Sequence, residues 1–318
     1  MIGRRVVLGM VLVAATAVAV GSARAQQYPE GRITMVVGFG AGGMTDVTSR
    51  MLAAKLEKLL GTTVIVENKA GAGVVLAINS VGQMAADGHT MVSLLADGPF
   101  TAAYQGRPIN LADWAIIGGY MPQERVLFAA KTAPFASAQE MMTYAKTNHV
   151  TVSDGGSFWS ARVIEAFAKK HGLQISVVAQ RSGQAASTEV LGGHVTMAET
   201  GTGTPAWSAA KGGELKILAT LTSGGLGAFG MADVPTLEQL GADFVPRVYY
   251  GYAVRAATPP ERIAKLRAAF KEAVDDPDVQ AQMKRIDLTP QWIEPRAYEE
   301  TLRRVVEDAA KLKEYLGK

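Results

Sequence analysis

Apolar and polar positions along this chain switch repeatedly between a strand period and a helix period. Ile33-Thr34-Met35-Val36-Val37 is a short apolar run, and a glycine-rich break follows it at residues 38–43. Val47, Met51, Leu52, Leu56, Leu59 and Leu60 then recur at helical spacing as far as Gly61, and Val64-Ile65-Val66 opens a second apolar run that ends at Asn68. The unit reads as strand, loop, helix, strand, with Thr45 or Asp46 capping the helix and Gly61 stopping it.

The same unit returns in the middle of the chain. Ser137 and Glu140 are spaced as a capping box, Val150-Thr151-Val152 reads as a strand, and a polar loop at 153–157 opens onto a helix with Val163, Ile164 and Phe167 on one face. Further strands are expected at 175–178, 195–198, 215–220 and 248–254, with helices at 185–191, after Pro259-Pro260, and from about Arg296. Such alternation predicts an α/β protein. The last helices are expected to pack on the first lobe.

Composition changes the picture at the N-terminus. Arg4 and Arg5 precede an uncharged apolar run at 6–20, and Gly21-Ser22-Ala23-Arg24-Ala25 supplies an Ala-x-Ala ending. This predicts a secretory signal peptide, residues 1–25, cleaved after Ala25, since the run is shorter than the ~20 residues that a membrane span needs. A periplasmic location follows. Arg4, Arg5 and Arg24 carry the whole formal excess of +3: 32 cationic residues less those three leaves 29, against 29 acidic. The mature chain is formally neutral and has no basic stripe, which argues against a nucleic-acid partner. No cysteine is present and the four histidines are scattered, so thiol chemistry is excluded and no metal site is expected.

The glycine-rich loop carries the candidate chemistry. Backbone N–H groups around residues 40–43, at the positive end of a helix, suit an anion, with the hydroxyls of Thr45 and of Ser153 or Ser157 as further donors. Gly38-x-Gly40-x-x-Gly43 with Glu67 ending the next strand also fits a dinucleotide fingerprint, so an exported oxidoreductase stands as the alternative. There is no Gly-x-Ser-x-Gly elbow, His-Glu-x-x-His or Walker loop, and no enzyme and no cofactor are expected.

Three ordered blocks then carry a resemblance: Gly40-Ala41-Gly42-Gly43-x-Thr45-Asp46, Val64-Ile65-Val66-Glu67-Asn68-Lys69-x-Gly71-Ala72-Gly73, and Ala86-Asp87-Gly88-His89-Thr90. They resemble the Bug-type periplasmic solute-binding receptors of tripartite tricarboxylate transporters, and Leu191-Gly192-Gly193-His194-Val195 and the stretch from Val234 to Gly241 continue the likeness. The resemblance implies a type II periplasmic-binding-protein fold, two α/β lobes joined by two crossover segments, with the ligand cleft between them. The lobes are placed at 26–124 with 250–318, and at 125–249, with crossings near 120–127 and 246–254. It further implies a monomer that binds a small organic carboxylate and serves membrane transporter subunits or a sensor kinase ectodomain. The ligand residues it implies are Phe39, Gly40, Ala41, Gly42, Gly43, Thr45 and Asp46 in the first lobe, and Ser153, Asp154, Gly155, Ser157, Phe158, Trp159, Arg181 and Glu199 in the second. Where the family usually has a small residue, a proline-like position and a histidine, this chain has Phe158, Trp159 and Ala161, and Gln180-Arg181-Ser182-Gly183 replaces Tyr-Lys-Gly-Gly. An aromatic or bulky acid held by those rings is therefore expected, with Glu199 orienting Arg181 or accepting a ligand hydrogen bond.

Overall fold

The apolar runs pair as two separate sheets in the computed structural model, which describes residues 28–245 and 247–317. The expected signal peptide and its cleavage site lie outside the described residues. The strands β1 (Ile33–Val37), β2 (Val64–Asn68), β3 (Thr90–Ser93), β4 (Trp114–Pro122) and β10 (Tyr249–Arg255) form one sheet in the order β2-β1-β3-β10-β4. The strands β5 (Arg125–Ala130), β6 (Val150–Ser153), β7 (Ile175–Val178), β8 (Met197–Gly201) and β9 (Leu215–Thr220) form the other in the order β7-β6-β8-β5-β9.

Both sheets follow one plan. A parallel trio (β2-β1-β3, β7-β6-β8) is flanked by an antiparallel pair whose inner strand is delivered from the other lobe. The chain leaves the first sheet at Pro122, enters the second at Arg125, and is back in the first by Tyr249. Inserting each crossing strand mid-sheet ties the lobes together while leaving the carboxyl ends of the parallel strands free to face one another. This is the type II periplasmic-binding-protein arrangement.

Helices cover the sheets where the periodicity demands. The helix α1 (Met44–Leu60) buries Leu52, Leu56 and Leu60 against Ile33, Met35 and Val64, and Gly61 ends it in the left-handed conformation. Its cap is Gly43 rather than Thr45 or Asp46, which fall in the first turn. The helix α2 (Val75–Gly82) packs on the opposite face of that sheet, against Val36 and Val92, next to α3 (Asp97–Tyr104), and α4 (Ala138–Tyr144), α5 (Phe158–His171), α6 (Gly183–Leu191) and α7 (Pro205–Lys211) belong to the second lobe. Ser137 caps α4 as the spacing predicts, accepting from Glu140 N–H while the Glu140 carboxylate accepts from Ala136 N–H. Next come α8 (Pro260–Asp275) and α9 (Pro277–Lys284), separated by Asp276, which ends one helix and caps the other.

The last helix, α10 (Pro295–Leu316), packs on both lobes. Tyr298 and Leu302 sit in the core of the first, while Val305, Ala309 and Leu312 sit with Trp159, Val163 and Phe167 of the second. Each aliphatic side chain buried this way contributes about 1.5–3 kcal/mol. The helix is thus a strap, where its sequence suggested a first-lobe element.

Candidate functional site

After β1 the chain turns tightly into α1. Gly42 holds φ at +76°, which a Cβ disfavours, and its N–H donates to Asp46 Oδ2 at 2.9 Å. Gly43 N–H donates to Gly40 O at 3.3 Å. The amides of Gly42 and Gly43 therefore serve the turn itself, which corrects the expectation that these two would meet a ligand. Among the described residues Met44 and Thr45, the first two positions of the helix, have N–H groups without a partner, as do Gly40, Ala41 and Asp46 beside them. Asp46 braces the turn from below: burial pushes its carboxyl up, but bonds from Arg50 and Gly42 N–H outweigh burial and hold it below the usual range.

The second lobe answers with three helix starts. Ser157 caps α5, Ser182 caps α6 by accepting from Ala185 N–H, and Thr204 precedes Pro205 at the start of α7. Among the described residues the N–H groups of Gly183 and Gln184 have no partner. Met44, Thr45, Ser157, Gly183, Gln184 and Thr204 all line one cavity of about 260 Å³ between the lobes. Helix first turns from both lobes converge there, and each brings the positive end of its dipole.

The floor of the cavity carries buried charge. Arg125, the first residue of β5, donates from Nε and Nη2 to Glu199 on the neighbouring β8, with 2.7 Å between Nη2 and Oε2. Burial works against the guanidinium charge, but the Glu199 carboxylate outweighs it and holds the arginine pKa above its usual value. Gly155 lies on this pair. Its N–H donates to Glu199 Oε2 at 3.4 Å, and a Cβ there would stand 2.7 Å from Arg125 Nη2, so the loop needs a glycine to approach so closely. Asp97, the first residue of α3, is 1% exposed and lines the same cavity. Its Oδ1 accepts from Ser157 Oγ at 2.6 Å, across the lobes, and its Oδ2 has no partner. Burial pushes its carboxyl up to about 6, against the pull of the Ser157 hydrogen bond and of Arg125, and Glu199 adds to the rise.

The structure brings Phe39, Gly40, Gly42, Gly43, Thr45, Gly155, Ser157 and Arg181 to the cavity and leaves the other expected residues off its wall. Ala41 is exposed at the tip of its turn. Ser153 donates to Ala186 O of α6 at 3.2 Å, and Asp154 accepts from Gly156 and Gln180 N–H, so the first ties its strand end to α6 and the second braces its own loop against residue 180. Glu199 is engaged by Arg125, not by Arg181, which corrects its expected role. Arg181 is exposed at the cavity and has no partner among the described residues.

Phe158 and Trp159 do not form an aromatic wall. Trp159 is buried in the second-lobe core, and the Phe158 ring packs 6.2 Å from Phe100 and 5.4 Å from Tyr104, with the Arg162 guanidinium 5.0 Å above it. Rings that each bury 150–250 Å² gain more in that apolar cluster than in a wet cleft, roughly the reason aromatics go to cores. The rings at the cavity are those of Phe39 and Tyr250. Glu67, the acid of the dinucleotide pattern, pairs with Lys69 at 3.3 Å and lines no part of the cavity.

Sequence reasoning missed Asp97, Gln123, Arg125 and Tyr250. Asp97 was findable, because it follows a parallel strand at its carboxyl end, where such folds place their sites. Gln123, Arg125 and Tyr250 lie at or beside the crossings and carry no motif.

Two α/β lobes around a cleft fringed by helix N-termini define a solute-binding receptor. The model of the "Tripartite tricarboxylate transporter family receptor" matches residues 48–316, and the chain belongs to that family. It is 31% identical over 304 residues to the UPF0065 protein in the gbd 5′ region of Cupriavidus necator, covering 93% of this chain and 90% of the relative. It is 27% identical over 268 residues to the protein BugT of Bordetella pertussis, covering 82% and 81%. The solved structure of MatC from Rhodopseudomonas palustris with bound malate shares the fold at a TM-score of 0.76 and 22% identity, covering 90% of this chain and 100% of that one.

Proposed function

We infer that this receptor captures a small organic acid in the periplasm and delivers it to the membrane subunits of a tripartite tricarboxylate-type transporter. The observation that carries the reading is the convergence of unpartnered N–H groups from both lobes, Met44 and Thr45 on one side and Gly183 and Gln184 on the other, on one cavity. A carboxylate spanning them takes charge-assisted hydrogen bonds worth about 1.5–3 kcal/mol each, and those bonds exist only when the lobes are together. The ligand therefore stabilises the closed state by its differential affinity for it, and the closed shape is what a membrane partner reads. Arg181 at the cavity edge suits a second carboxyl, since its planar fork grips bidentately. Malate in the MatC structure supports an acid of this size.

Export through a cleaved leader accords with Arg4-Arg5, the apolar run and the Ala-x-Ala ending. A thermal-shift screen of the mature protein tests the binding reading. Aliphatic mono- and dicarboxylates should raise the melting temperature while neutral sugars and NAD leave it unchanged. A rise with NAD and none with any acid would return the molecule to the dinucleotide-binding alternative.

A further inference from the structure

The cavity is not uniformly suited to anions. Beside its unpartnered N–H groups stand two buried oxygens that lack a hydrogen: Asp97 Oδ2 and Gln123 Oε1, in residues 1% and 3% exposed, are without partners among the described residues. Gln123 hydrogen-bonds to the Tyr250 hydroxyl, and the charges of Arg125, Asp97 and Glu199 all act on that tyrosine, which places the group together on the cavity floor. Thr200 Oγ1, also unpartnered and lining the cavity, can accept as well as donate. The buried charges there do not balance. Arg125 is matched one to one by Glu199, which leaves Asp97 as an unmatched acid, and Arg181 is exposed and therefore solvated. Buried charges are ordinarily paired, and a buried acceptor without a donor costs free energy unless a ligand supplies one.

Resting on the carboxylate reading of this site, we propose that the ligand is an amino-bearing carboxylate, whose carboxylate meets the helix N-termini while its protonated amine sits on Asp97 Oδ2 with Gln123 Oε1 as a second acceptor. An ammonium supplies both the positive charge that the floor lacks and more than one N–H, where a hydroxyl supplies one hydrogen and no charge. Asp97 is then a specificity residue. Ser157, which holds the other Asp97 oxygen, positions it for that role.

The test is calorimetric titration of the mature protein at pH 7.5 with matched acids that differ by one amine, succinate against aspartate and glutarate against glutamate. The aminated member of a pair should bind at least about tenfold tighter, the equivalent of one charge-assisted hydrogen bond. Asp97→Asn, whose fold is checked by its melting curve, should erase that preference, the ratio of affinities within each pair falling to about one. Equal or tighter binding of the unsubstituted acids by the parent overturns the amine proposal and leaves the carboxylate reading standing, and so does a preference that survives Asp97→Asn. No binding by any acid of either series overturns both.

Discussion

Asp97→Asn also has a consequence for stability that requires no ligand. The Asp97 carboxyl has its pKa raised from an ordinary 3.8 to about 6 because folding strips it of water. Each pH unit between the folded and unfolded values is worth about 1.4 kcal/mol, so the rise corresponds to about 3 kcal/mol. The sign follows from proton uptake. Below pH 3.8 both states hold the proton and the group has no effect. Between 3.8 and about 6 the native state holds a proton that the unfolded chain has lost, so stability falls as pH rises, and above 6 the full penalty is present. Asparagine does not titrate. The variant should therefore gain on the parent by about 3 kcal/mol between pH 3.5 and 7.5, with the change confined to that window. A buried amide N–H left without an acceptor costs ~1–3 kcal/mol, but equally at every pH, so it displaces the difference curve without tilting it. Other raised carboxyls, such as Asp154 and Glu124, are common to both proteins and cancel. Urea unfolding of both ligand-free proteins across the pH range gives the curve. A difference that is flat, or that falls with pH, would show that Asp97 is not the desolvated acid the structure describes.

Other predictions follow from the same geometry. Glu199→Gln leaves the buried Arg125 guanidinium without its counter-charge and should destabilise the protein by about 3–5 kcal/mol in denaturant melts, and a loss under 1 kcal/mol would contradict the pairing. Trp159→Ala should cost about 3–5 kcal/mol of stability yet leave the affinity of the folded protein for its acid unchanged, because the ring lies in the second-lobe core; weaker binding at unaltered stability would restore the aromatic wall. Gly42→Val forces a β-branched residue to φ +76° and should abolish the thermal response to acids, whereas Gly42→Asn, which tolerates that conformation, should keep part of it. Equal responses from the two variants would mean that the turn's backbone is not what shapes the site.

Much of the fold was legible because the parallel trios obey local rules. Ile33–Val37 and Val64–Asn68 are apolar runs bounded by turn residues, and α1 and α10 carry long, regular apolar stripes. The strands β4 and β5 were not legible as strands. They are buried on both faces and separated by only two residues, so neither shows the alternation or the turn signal that marks a strand. Helix α3 was missed for a similar reason, since nearly every side is buried and no stripe appears. The site was half legible. Glycine-rich turns announce helix N-termini, and those of the first loop and of residues 155–157 do line the cavity. The direction of a side chain in a first helical turn is set by what lies beyond it, and for Phe158 and Trp159 that is Phe100, Tyr104 and α10, far away in sequence. Arg125 and Glu199, 74 residues apart, meet only because two antiparallel strands pair Arg125 with Gly201 and Leu127 with Glu199, which makes them diagonal neighbours on one face.

The claim that an acid is held between helix starts of opposing lobes is tested most directly by a crystal structure of the mature protein with the acid that raises its melting temperature most. The account predicts carboxylate oxygens about 3 Å from the N–H groups of Met44 or Thr45 in one lobe and of Gly183 or Gln184 in the other, at charge-assisted hydrogen-bond distance. A carboxylate that touches neither pair, or that contacts one lobe alone with the helix starts still facing solvent, would contradict it.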